Sequence, residues 1–128
     1  MTEKTDYAEL FVLNHILGIS AQTAPTNVYL ALFTTATDDT GAGTEVSGGG
    51  YARQVLSFAA PAAGSTSTNA DVSFTASGAN FGTITHIAIF DALAAGNMLY
   101  HSPIDTQRTV DDGETITFSS GNVTVTED

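Results

Sequence analysis

Three histidines, His15, His86 and His101, are the side chains best suited to acid–base or metal chemistry near neutral pH. His86 lies in the strongest strand pattern of the chain, Gly82–Asp91, and His101 in the segment that would return from it. The two can therefore approach across a hairpin, and with Asp91 or Asp105 they would make a small donor set for a metal or for proton transfer. The spacing argues the other way, because no HxH, HxxxH or HExxH pattern is present. Packing and hydrogen bonding on a half-buried sheet face is the better reading. The acid pairs Asp38-Asp39 and Asp111-Asp112 offer oxygen ligands for calcium, but neither carries the Asp-x-Asn-x-Asp-Gly spacing, so both read as solvated turn acids. There is no GxSxG elbow and no cysteine to act as a nucleophile. The expected inventory is no catalytic residue, no cofactor and no metal ligand.

The run Gly48-Gly49-Gly50 precedes Tyr51 and Arg53. It does not read as a phosphate loop, which needs a following helix and usually a lysine. Here a strand follows, and the glycines instead permit positive φ or close backbone approach. Arg53 is one of only three basic side chains, with Lys4 and Arg108. Glu45 or an aspartate within the fold is its expected partner, with a neighbouring subunit as the alternative. Glu45, Gly48, Gly49, Gly50, Tyr51 and Arg53 form one group of candidate subunit or partner contacts; Leu10, Leu13 and Leu17 form another.

The elements that would position these residues follow from periodicity. Asp6 as N-cap and Glu9 three residues on suggest a capping box, and Gly18 a stop, for a helix over 6–17. Its face of Leu10, Leu13 and Leu17, with Phe11 beside it, needs cover from the chain's own sheet or from a neighbour, since three turns are marginal alone. Residues 28–34 (VYLALFT) are apolar on both alternating faces, as a central strand is. Residues 35–50 read as a long surface loop at the tip of the domain, facing solvent or a partner. Strands are expected over 51–58, 70–75, 82–91 and 98–102, with a short one at 107–110. In 82–91, Ile87 and Ile89 line one face, and Ile84, Ala88 and Phe90 the other. Residues 59–69 read as a loop, and 115–118 with 122–126 as a closing hairpin around Gly121.

About seven or eight short strands with turn signals between them predict an all-β fold, an antiparallel β-sandwich of jelly-roll-like type, with a short N-terminal helix. A length of 128 residues predicts a single domain over 1–128, with 1–18 as an attachment or oligomerisation segment. Fourteen acids against three bases give a formal net charge of −11. That balance removes the electrostatic drive for nucleic-acid binding and for anionic membranes. No signal peptide is visible, and no apolar run approaches the roughly 20 residues of a membrane-spanning helix, so cytoplasmic synthesis without membrane insertion is expected.

Several segments resemble one family in order along nearly the whole chain. They are Asn14-His15-Ile16-Leu17-Gly18, Ala31-Leu32-Phe33-Thr34-Thr35, Gly43 to Gln54 with its Gly-Gly-Gly-Tyr-Ala-Arg core, Phe81 to Asp91, and Gly96-Asn97-Met98-Leu99-Tyr100. In these the chain is similar to short structural proteins of tailed bacteriophages described as tail fibre or minor tail proteins. The resemblance implies a small, non-enzymatic virion component, assembled in the host cytoplasm. Its partners would be other tail, baseplate or capsid proteins and copies of itself, a trimer being one such form. Tail association is the expectation; capsid decoration on the phage head is the first alternative. A host-glycan-binding module is the second, with Tyr51 and Tyr100 as the two aromatic platforms available to it.

Overall fold

The computed structural model describes residues 2–127. Among them are nine strands and one helix: β1 (Glu3–Lys4), α1 (Asp6–Ile16), β2 (Val28–Phe33), β3 (Gln54–Leu56), β4 (Ser65–Ser67), β5 (Val72–Thr75), β6 (Gly82–Phe90), β7 (Met98–Val110), β8 (Thr115–Phe118) and β9 (Thr124–Thr126). The strands make an antiparallel five-stranded sheet in the order β1-β7-β6-β2-β3 and two two-stranded ladders, β4-β9 and β5-β8. The fold is all-β and sandwich-like, as expected.

The centre of the sheet follows from the apolar patterning of β2 and β6. Leu30 and Leu32 point to one side and join Ile84, Ile87 and Ile89 of β6, with Val72, Phe74 and Ile116 of the β5-β8 ladder laid over them. Ala31 and Phe33 point to the other side and join Ala88, Phe90 and Met98. Strand β2 is thus covered on both faces, which is why its apolar residues do not alternate with polar ones.

Departures from the expected elements have identifiable causes. The register of β6 against β7 shifts between Ile84 and His86. Between these pairs β6 has one residue, Thr85, and β7 has four, 104–107. Across this irregularity Ile84 lies on the side of Ile87 and Ile89, away from Ala88 and Phe90. Pro103, which cannot donate to a ladder, sits opposite His86 at this shift, and β7 continues through it as one strand where two were expected. The segments 115–118 and 122–126 do not pair with each other. Strand β8 pairs with β5 and β9 with β4, so each closes a nonlocal ladder that covers the core. Strand β4, Ser-Thr-Ser, lies inside the stretch expected to be loop, because small polar residues carry no apolar period. Of 51–58, only Gln54–Leu56 is ladder, with an isolated bridge from Phe58 to Thr68.

The helix starts at Asp6, as expected, but its cap lies one residue earlier. Thr5, not Asp6, is the N-cap: its Oγ1 accepts from the Ala8 amide at 3.3 Å and donates to the Met98 carbonyl at 2.6 Å. Gly18, at φ 68°, sits just past the end, with the Ile19 amide bonded back to the Asn14 carbonyl at 3.0 Å. The charge-poor surface of the sandwich is stitched by hydroxyl pairs directly across ladders: Ser73 with Thr117, Thr75 with Thr115, and Thr83 with Thr109, at 2.8–2.9 Å.

Residues 35–50 are exposed along most of their length, as a surface loop should be, but they do not project from the tip. They fold back over the second face of the sheet, so that a Cβ on Gly43 would lie 2.9 Å from the Phe33 ring and one on Gly41 3.7 Å from Met98 Cβ. Val46 enters the main core. All three glycines of the triplet have positive φ, but only Gly49 is also pressed against backbone, where a Cβ would sit 2.7 Å from the Ala79 carbonyl oxygen. Gly48 has open space around it at φ 81°. Gly48→Ala is therefore expected to cost about 1–2 kcal/mol through backbone conformation alone. Gly49→Ala adds a clash of roughly 1–3 kcal/mol to the same term. Urea denaturation of the two variants measures the difference, and equal losses would show that the close approach at Gly49 carries no weight.

Candidate functional site

The residues picked out around the glycine triplet converge on one buried cluster. Arg53 is 8% exposed, and its guanidinium lies over the Phe90 ring at 3.7 Å from the centroid. Nε donates to Glu45 Oε2 and Nη2 to Glu45 Oε1, both at 2.8 Å, a two-pronged ion pair. Nη1 donates to the carbonyls of Ala92 and Ala95 at 2.9 and 2.8 Å. The Tyr51 hydroxyl donates to Glu45 Oε2 at 2.6 Å and accepts from the Leu32 amide at 3.0 Å. Arg53 thus ties together the end of the 35–50 loop, the start of β3 and the loop between β6 and β7. That last loop carries Ala95 at φ 53°, a strained conformation for a residue with a Cβ. Asp91 holds the same loop from the other side, accepting from the Asn97 amide at 2.8 Å and side-chain amide at 3.0 Å.

Electrostatics follow the geometry. Burial pushes the Glu45 carboxyl up, but the hydrogen bonds from Arg53 and Tyr51 and the Arg53 charge outweigh it and hold the group below the ordinary carboxylate range. The Glu45 hydrogen bond raises Arg53, against the pull of burial. Burial, and then the bond to Glu45, push the Tyr51 hydroxyl well above its usual value. No group in this cluster is poised to give or take a proton near neutral pH. The cluster is a structural clasp.

Of the candidate contact residues, Glu45, Gly49, Tyr51 and Arg53 are thus engaged within the chain, while Gly48 and Gly50 are exposed. Tyr51 is no sugar platform either: its ring stacks on Phe74 and meets Phe81 edge-on. Tyr100 is half-buried, its hydroxyl bonded to Glu127 at 3.0 Å and, mainly through burial, pushed up to about 12.

The helix residues are placed in the opposite way. Leu10, Leu13 and Leu17 are 61%, 51% and 65% exposed, and Ile16 and Ile19 beside them 73% and 70%. Of the helix, only Ala8 is buried. The chain's own sheet does not cover the apolar face. Ile16 and Ile19 escaped attention in the sequence because they fall off the spacing of Leu10, Leu13 and Leu17.

His86 and His101 lie at offset positions of the β6–β7 ladder, near enough that the His101 charge adds to burial in lowering the His86 pKa, but Asp91 does not join them. His86 faces Pro103 and bonds Thr85, while His101 faces Ala88. Asp91 is engaged in its own loop. His101, 5% exposed, instead meets Asp39 and Glu3, which come from the 35–50 loop and β1. This grouping was invisible in the sequence because its members lie far apart along the chain and follow no motif spacing. Asp38 accepts from the Thr40 amide and hydroxyl and the Ala42 amide, so it closes its own turn; Asp112 accepts from the Gly78 amide.

The clasp makes two predictions. Arg53→Ala leaves Glu45 without its cation and two loop carbonyls without donors, and is expected to cost about 3 kcal/mol. Arg53→Lys should recover only a fraction, since an ammonium cannot reproduce the fork. Denaturant unfolding measures both; a loss within the noise of a surface substitution would refute the clasp. Because the folded-state Glu45 carboxyl titrates below its ordinary 4.5, its contribution is complete above that value and is lost as pH falls through the lower folded-state value. The stability gap between the parent and Glu45→Gln should therefore close on acidification. A gap independent of pH would contradict this assignment.

A family model described as Podophage GP4 fiber I protein gp80 matches residues 3–126. No curated protein matches the chain. The match spans the N-terminal strand, the helix, the clasp and all the ladders of the sandwich, and the chain belongs to this family of phage fibre structural proteins.

Proposed function

We propose that the chain is a non-enzymatic, tail-associated fibre component of the virion that acts as one domain and assembles with copies of itself through the exposed face of α1. The observation that carries the reading is the exposure of Leu10, Leu13 and Leu17, extended by Ile16 and Ile19. A large exposed apolar patch marks an interaction site. Charge argues for a second copy as its occupant. The chain carries a net −11, yet from Leu10 to Thr37 there is no Asp, Glu, Lys or Arg. The helix acids, Asp6 and Glu9, are confined to its first turn. Two copies meeting through the part of the segment from Leu10 onward therefore bring no acid against acid, whereas most other approaches do. A self-complementary apolar patch also suits the closed symmetry of homo-oligomers.

The segment is not a detachable tail. Thr5 is buried against the Met98 and Leu99 carbonyls, and β1 pairs with the edge of β7. Deleting 1–18 would strip a sheet edge along with the helix, so point substitutions separate assembly from folding. The triple variant Leu10→Gln, Leu13→Gln and Leu17→Gln is expected to shift the protein from oligomer to monomer in analytical ultracentrifugation. Its stability as a monomer should change by no more than about 0.5 kcal/mol per site, as for exposed positions. A parent protein that is monomeric at all concentrations, or an oligomer that survives the triple substitution, would overturn self-assembly through α1. Copy number in purified virions tests the location: a ratio near one to the major capsid protein would overturn tail association.

A further inference from the structure

His101, Asp39 and Glu3 converge in a way that hydrogen bonding alone explains poorly. His101 Nε2 lies 2.9 Å from Asp39 Oδ1 and 4.0 Å from Glu3 Oε2, and the three ligand atoms are all within 4.8 Å of one another. Two carboxylates are therefore held close together in a chain already at −11, and both meet the same edge of one buried imidazole. Among the described residues neither acid side chain has another partner to fix it there; Asp39 and Glu3 are 54% and 70% exposed at their side chains. The backbone does the positioning. Glu3 is the direct ladder partner of His101, and the Asp39 carbonyl accepts from the Asp6 amide at 2.9 Å.

The far side of the imidazole is also arranged. His101 Nδ1 lies 2.9 Å from Thr37 Oγ1. As the side chains stand, Nε2–H donates to Asp39 Oδ1 and Nδ1 accepts from the Thr37 hydroxyl. Because a hydroxyl can also accept, a bound ion can displace the Nε2 proton while Nδ1–H donates to Thr37, the tautomer of a metal-binding histidine whose other nitrogen is anchored. Ligand atoms about 2.1 Å from a common tetrahedral ion stand about 3.4 Å apart. The two distances from Nε2, 2.9 and 4.0 Å, fall on either side of that spacing, and both carboxylates are exposed enough to adjust.

We propose that His101, Asp39 and Glu3 form a binding site for a divalent transition-metal ion of the zinc class, with one nitrogen and two oxygen ligands and at least one position left for water. The mixed imidazole–carboxylate set selects such an ion over calcium, which takes oxygen ligands. A bound ion would neutralise the paired acids and cross-link three distant parts of the chain: the N-terminal strand, the 35–50 loop and β7. It would thereby fasten the segment that leads into α1. The site stands independently of whether α1 self-associates.

Isothermal titration of the full chain with zinc alone, near neutral pH, tests the site. One equivalent is expected to bind saturably and to raise the melting temperature as zinc increases. Amide exchange at Thr5 and Asp6 should slow on binding. Asp39→Asn and Glu3→Gln change exposed side chains and should fold like the parent without metal, yet each should weaken zinc binding by about tenfold or more. Calcium in excess should not compete. Absence of saturable binding would overturn the site and leave the grouping as a hydrogen bond between His101 and Asp39 with Glu3 nearby. Unchanged affinity in both variants would equally overturn it, by placing the zinc elsewhere on the acidic surface.

Discussion

A buried arginine holds this fold in one arrangement. Taking a guanidinium out of water is costly, and the cost is recovered only when its donors all meet good acceptors. Arg53 meets Glu45 twice and two carbonyls of the β6–β7 loop, and its flat face rests on Phe90. An apolar side chain of equal volume could fill the same space. It could not choose which loop conformation lies beside it. The pair with Glu45 therefore acts on specificity more than on net stability: it selects the strained Ala95 conformation and the return path of the 35–50 loop from among alternatives.

That constraint explains why the two faces of the sheet are built differently. One face is closed by ladders whose Val72, Phe74 and Ile116 interlock with Leu30, Leu32 and Ile89. Apolar area suffices there, because ladders satisfy their own backbone groups. The other face is closed by a loop, which has no ladder to hold it. Its cover over Phe33, Phe90 and Met98 is kept in place by polar anchors instead. These are the Glu45–Arg53 pair, the Thr34 amide to Thr44 carbonyl bond, and the Asp39 contacts to Asp6 and His101. Tyr51 links the two systems, with its ring in the apolar core and its hydroxyl bridging Glu45 and the Leu32 amide.

What was legible in the sequence is what local periodicity encodes. Strands β2, β5 and β6, the hairpin into β7 and the existence of the helix all follow from apolar spacing and turn residues. The pairing of Arg53 with Glu45 was legible for a different reason: a rare base among many acids has few places to go. Three kinds of feature were not legible. The irregularity at Ile84–His86 changes the side of one isoleucine and leaves no mark on β6 itself; Pro103 sits on the facing strand, where pairing is needed to interpret it. Strands β1 and β4 are too short and polar to show a period, and the partners of β8 and β9 depend on which apolar faces meet, not on which segments are adjacent. The Thr5 cap was masked by Asp6, an equally good capping residue one position on; the Met98 and Leu99 carbonyls decide between them, and those come from the far end of the chain.

The distribution of satisfied and unsatisfied groups then separates scaffold from surface. Among the described residues no buried side-chain nitrogen or oxygen lacks a hydrogen-bond partner. The polar interior is complete, and Glu45, Tyr51 and Arg53 are engaged in it, while Gly48 and Gly50 stay exposed at the surface. The apolar account is not complete. A helix whose root, Thr5, is buried and bonded to β7 carries leucines and isoleucines into solvent along most of its length. Three turns of helix gain little stability by themselves, and exposing that much apolar area gains none. A rigid root under an uncovered face fixes the direction in which the face points. Under the proposed self-assembly a second copy, whose matching segment carries no Asp, Glu, Lys or Arg from Leu10 to Thr37, covers that face.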